Sequence, residues 1–106
     1  MVVCQEGRAE MKPGEVLKEA AGLIEHDRQI TYGTSWTNHS RIAALWSVIL
    51  ERPIRPDQVA ACMVAVKLAR LIQTPTHADS WIDAAAYAAL GHELAQNSLT
   101  DALRDE

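Results

Sequence analysis

MVAVKLARLIQTPTHADSWIDAAAYAAL (residues 63–90) is the stretch whose reading decides the fold. It reads as an apolar helix closing on Lys67 and Arg70, a break at Thr74-Pro75-Thr76, and a second helix that opens with Asp79 and Asp83. So short a break predicts an antiparallel hairpin. Lys67 and Arg70 are three apart and Asp79 and Asp83 four apart, so each pair shares a helix face. The two carboxylates repel each other unless a cation stands near. With a turn near residues 73–77, Arg70 is expected level with Asp79 or Asp83, and Lys67 one turn deeper. Two readings stay open. The four charges form an internal ion-pair network, or Mg²⁺ binds Asp79 and Asp83 while the cations are left for phosphate. Lys67 and Asp83 in dry contact with no cavity beside them would exclude the enzymatic reading.

Working outward, the helix that carries Lys67 begins near Pro56-Asp57 and runs to about residue 72. Residues 59–66 are apolar on every side, which predicts a central helix covered all round. Ala60, Ala61 and Ala65 permit close approach of neighbours. The following helix is expected over 78–94, with Ile82, Ala85, Ala86, Ala89 and Leu90 as a small-residue face. Before them, 15–26 reads as a helix with Val16, Leu17, Ala20, Leu23 and Ile24 on one side. Pro13 suits its first turn and Glu15 its positive end. Residues 27–36 form a turn-rich connector, which is either a plain link or, at a length that often carries function, part of a site. Thr37 or Asn38 is expected to cap the next helix, which runs to about 51, with Ile42, Leu45, Trp46, Ile49 and Leu50 as its apolar face, and Pro53 stops it. No segment alternates with period two, and Phe is absent. The expected class is all-α, a four-helix bundle over 13–95, with an arm at 1–12 and a polar, partly helical tail at 96–106. A bundle this small has few helices of its own to cover one that is apolar all round, so a homodimer is expected.

The bulk properties exclude several classes. The chain has 106 residues, 48% of them hydrophobic, which suits one domain with a core. The longest apolar run, 59–66, falls short of the ~18 residues of a membrane span. The first residues lack the pattern of a signal peptide, so a cytoplasmic protein is expected. Cys4 and Cys62 are the two cysteines, too few and too far apart for a disulfide framework or a zinc site. A net charge of −4 without a basic block argues against a nucleic-acid polymer as partner, although a local basic spot can hold one nucleotide.

Other candidates carry two readings each. Glu15 and Glu19 are four apart, and Glu19 is either exposed or a third inward-facing carboxylate. Asp57 fits a cap or first-turn role. Trp36, Trp46 and Trp81 read as structural anchors, but Trp36 and Tyr32 adjoin the connector and could stack on a base. Arg41 lies one turn from Leu45. His39 reads as a surface or capping residue. The histidines lack metal-ligand spacing, and neither a Ser-His-Asp arrangement nor a Gly-rich phosphate loop can be picked out.

Taken in order, DRQITYG (27–33), NHSRIAALWS (38–47), PDQVAACMVAVKLARL (56–71) and DSWIDAAAYAAL (79–90) resemble small phage and bacterial domains of unknown function. Those domains are similar to the MazG-like, all-α NTP pyrophosphohydrolases. The resemblance spans about 14–94, and its most specific part runs from Lys67 through Asp83 to Tyr87. It implies a helical, often dimeric protein that holds Mg²⁺ on acidic residues and cleaves a nucleoside triphosphate to monophosphate and pyrophosphate. By it, Asp79 and Asp83 are the catalytic, metal-binding carboxylates, spaced i,i+4 where the usual pattern is Glu-x-x-Asp. In place of the earlier Glu-Glu-x-x-Glu motif stand Lys67 and Arg70, so Glu19 or Asp57 would supply further metal ligands. Lys67, Arg70 and Arg41 would neutralise phosphate, and Tyr32, Trp36 and Asn38 would contact base or sugar.

Overall fold

A computed structural model describes residues 10–27 and 35–104. Among them are four α-helices and no strand: α1 (Pro13–Gly22), α2 (Ser35–Leu50), α3 (Pro56–Gln73) and α4 (Ala78–Arg104). The all-α expectation holds at this level. The connector containing Thr31, Tyr32 and Gly33 lies outside the described residues.

Each boundary has a local cause. Pro13 opens α1, where its missing N–H costs nothing, and Glu15 stands in the first turn. After Gly22 the chain widens into a π-helical turn, Leu23–Asp27, which the sequence pattern did not indicate. α2 begins at Ser35, before the expected caps, so Thr37 and Asn38 lie inside its first turns. At its other end Glu51 adopts a left-handed conformation (φ 55°), and Arg52 N–H donates to Ser47 O at 3.2 Å. That bond closes a Schellman turn. Ser47 Oγ ties it down by donating to Ala43 O at 2.7 Å and accepting from Ile54 N–H at 2.9 Å. Pro56 then starts α3, and Arg55 N–H donates to Gln58 Oε1 at 2.9 Å. Asp57 takes the expected first-turn place, 3.1 Å from Arg55 Nε, and its hydrogen bond and charge hold the Arg55 guanidinium above its ordinary range.

α3 and α4 form the predicted hairpin. Thr74 N–H donates to Arg70 O (3.0 Å), His77 N–H to Thr74 O (3.1 Å) and the Trp81 indole N–H to Pro75 O (2.9 Å), so the break at 74–77 is a pinned turn. α4 continues well past the expected end at 94, through Arg104. Small residues let the helices close. Ala20, Ala78, Ile82 and Ala86 bury one cluster between α1 and α4. Ala60, Leu90 and Leu94 bury a second between α3 and α4, with Ile24 and Trp36 packed against it.

Two expectations are corrected. α3 is not covered all round within one chain: Ala61, Cys62, Ala65, Val66, Leu68 and Ile72 are exposed, because only α4 and, more lightly, α2 pack against it. His39 is no surface residue. α2 starts early, so His39 lies within the helix rather than at its cap, one turn before the buried Ala43 and on the same inward face, 1% exposed, with its ring edge-on to Tyr87 at 6.1 Å.

Candidate functional site

Asp79 and Asp83 lie on the first turns of α4, and Ala78, Ile82 and Ala86 beside them are drawn into the core with Ala20 of α1. That packing aims the carboxylates along the flank of the α1–α4 interface. There a cleft of about 280 Å³ opens, lined by Glu19 and Leu23 from the first helical stretch and by Asp79, Ile82 and Asp83 from α4. The three acids named from the sequence are brought together. The cleft lies between α1 and α4, however, not between the two helices of the hairpin.

α3 enters from one side. Lys67 Nζ lies 3.1 Å from Asp83 Oδ2, with the lysine side chain 12% exposed and the aspartate 33% exposed. The contact is direct but not dry, since Asp83 opens onto the cleft. The register explains the pairing. Ala60 faces Gly91 further along the hairpin, which sets Lys67 opposite Asp83 and puts Arg70 near the level of Ser80. Arg70 is exposed and makes no ion pair among the described residues.

The remaining candidates disperse. Arg41 is exposed on the outer side of α2 and is not a lining residue of the cleft. Asn38 is half-buried in α2, and Trp36 packs on the Ala60–Leu90–Leu94 cluster. Tyr32 lies outside the described residues. His39 and Tyr87 were missed as a pair. Tyr87 follows Asp79 and Asp83 at i+8 and i+4, so it continues their strip of α4. That spacing was the available signal.

As a cation site, the cleft offers only carboxylate oxygens, the donor type of a hard divalent ion. Among the described residues, no three acidic, histidine or cysteine side chains form a group that could hold a metal by themselves. Mg²⁺ does not require such a cage, because it commonly binds one or two carboxylates together with substrate phosphates and water. Asp79 and Asp83 fit that mode, with Glu19 across the cleft. No helix of the described residues is long and apolar enough to cross a membrane.

The chain is similar to the Gene 55 protein of Mycobacterium phage D29, 41% identical over 73 residues, covering 69% of this chain and 48% of that protein. It is also similar to the Gene 55 protein of Mycobacterium phage L5, 36% identical over 75 residues, covering 69% of this chain and 47% of the relative. The chain thus spans about half the length of the curated relatives it matches. No solved structure matches. Residues 15–95, from the first turn of α1 to beyond the buried Leu94, match a single family model, and the chain belongs to that family, the domain of unknown function DUF6378.

Proposed function

We propose that the protein is a Mg²⁺-dependent nucleotide pyrophosphohydrolase-like protein that acts on a nucleoside triphosphate or a related nucleotide of the cytoplasm. The observation that carries this reading is the cleft where Glu19, Asp79 and Asp83 meet with the Lys67 ammonium 3.1 Å from Asp83. Asp79 and Asp83 would hold Mg²⁺ together with substrate phosphates and water, with Glu19 across the cleft rather than in a three-carboxylate cage. When bound, the ion neutralises the phosphates and activates water for in-line attack. Lys67 stands where it can exchange its contact with Asp83 for a phosphate oxygen, and the exposed Arg70 adds a second cation near the same level. Arg41 lies outside this arrangement and loses its proposed role. Tyr32 and Asn38 are the proposed base or sugar contacts, since Trp36 is engaged in packing. A second copy of the chain belongs to the same reading, as the cover that α3 lacks.

The test is incubation with a panel of dNTPs and NTPs plus Mg²⁺, reading monophosphate and pyrophosphate. Turnover by the native chain, lost in a folded Asp83→Asn variant, would establish it. One observation favours a second reading, nucleotide binding without hydrolysis: Asp83 is already neutralised by Lys67, which weakens it as a metal ligand. Nucleotide-dependent thermal stabilisation without product would decide for that reading. No response to any nucleotide would sink both.

A further inference from the structure

We propose, resting on the nucleotide reading above, that the Lys67–Asp83 contact is an autoinhibitory ion pair. Lys67 withholds Asp83 from a divalent ion until a phosphate draws the ammonium away, so metal and nucleotide strengthen each other's binding. Three observations carry this. Lys67 Nζ stands 3.1 Å from Asp83 Oδ2, where the ammonium takes the place of a cation on that oxygen. Asp83 lines the cleft with Glu19 and Asp79, so one carboxylate serves both the pair and the proposed ion. The lysine side chain is 12% exposed and comes from α3, whereas both aspartates belong to α4. Packed between helices, the ammonium has little water to retreat into unless another anion replaces Asp83.

In the protein without nucleotide, Asp83 can take up an ion only beside the Lys67 charge or after shedding it. The first sets like charges close together, and the second leaves a poorly solvated ammonium without its counter-charge. A phosphate removes both costs. Lys67 donates its hydrogen bonds to the phosphate oxygens, Asp83 is released to the ion, and every charge keeps an opposite partner. The coupling is reciprocal: the factor by which nucleotide raises metal affinity is the factor by which metal raises nucleotide affinity. The weakness of Asp83 as a metal ligand is then conditional, present in the free protein and relieved when nucleotide binds.

The experiment measures Mn²⁺ binding to the full chain by the EPR signal of the free ion, Mn²⁺ sharing the oxygen preference of Mg²⁺. It is run with and without a nucleoside triphosphate whose α,β-bridge resists hydrolysis, and helicity controls for folding. Lys67→Met keeps the apolar stem and removes the ammonium. Without nucleotide it is expected to bind Mn²⁺ about tenfold more tightly than the native chain, and its gain from nucleotide should be about tenfold smaller. Lys67→Arg keeps the charge and should stay near the native values. In an Asp83→Asn background, Lys67→Met should change Mn²⁺ affinity by less than about twofold, because the effect acts through Asp83. An equal rise in both backgrounds would make Lys67 a distant charge and overturn the proposal. If nucleotide tightens Mn²⁺ binding in the native chain but Lys67→Met matches it, the proposal falls and the nucleotide reading stands. If the native chain binds no Mn²⁺ beyond that held by the nucleotide itself, both fall.

Discussion

The Lys67 ammonium and the Asp83 carboxylate are 3.1 Å apart, yet they share water unequally, with Lys67 12% and Asp83 33% exposed. Breaking the pair from either side therefore has different consequences. Asp83→Asn leaves the less accessible ammonium without its counter-charge. Lys67→Met keeps an apolar stem of similar length and leaves Asp83 at the cleft, where water reaches it. Asp83→Asn is expected to cost about 1–2 kcal/mol of stability, and Lys67→Met about half as much. Urea unfolding of both variants checks this, and a larger loss for Lys67→Met would contradict the assigned exposures.

The α2–α3 turn contains a correctable strain. Glu51 has φ 55°, a conformation that favours glycine, at the position that closes the Schellman turn. Glu51→Gly is expected to stabilise the protein by about 0.5–1 kcal/mol. Ser47→Ala should act in the opposite direction. It removes the acceptor for Ile54 N–H and costs about 1–2 kcal/mol. Thermal melts of the two variants should move to opposite sides of the native transition.

Gly91 lies inside α4, where it crosses α3 at Ala60. A Cβ added there would meet Ala60 Cβ at 3.5 Å, an ordinary van der Waals distance. Gly91→Ala should thus gain most of the helix-propensity difference, about 0.8 kcal/mol, without parting the hairpin. Gly91→Leu should destabilise, because the same contact leaves no room for a branched side chain. If both variants melt below the native protein, the helices approach more closely at this crossing than the 3.5 Å contact allows.

Much of the architecture could be read before any coordinates. The Thr74-Pro75-Thr76 break and the charge spacings on either side specify the hairpin, because both are local features with fixed helical geometry. The position of the cleft could not be read in the same way. It depends on how α1 packs against α4, and hydrophobic periodicity defines a helix face without naming the neighbour it meets. Glu19 illustrates the point. It is an exposed residue by accessibility and a lining residue of the cleft at once. His39 was misplaced for a different reason: Thr37 and Asn38 are good caps, but the helix starts at Ser35, so His39 is an interior helical residue one turn before the buried Ala43 and not a cap at the surface. In α3 the apolar character was plain from the sequence, whereas which part of it one chain could cover was not.

The electrostatics of the cleft make a last prediction. Glu19, Asp79 and Asp83 bring three carboxylates to it, against which Lys67 supplies one charge already engaged at Asp83. A bare triphosphate entering there meets like charge in a partly desolvated space, while its Mg²⁺ complex presents a cation to the carboxylates. Under the proposed function, thermal stabilisation by nucleotide should therefore require the divalent ion. A nucleotide with EDTA should leave the melting temperature unchanged, Mg²⁺ alone should raise it little, and the two together should raise it clearly. Asp79→Asn lowers the negative charge without touching the Lys67 contact. It should weaken the response to the Mg²⁺–nucleotide pair. Equal stabilisation with EDTA and with Mg²⁺ would show that phosphate is held by cations alone, and would remove the carboxylates from the binding site.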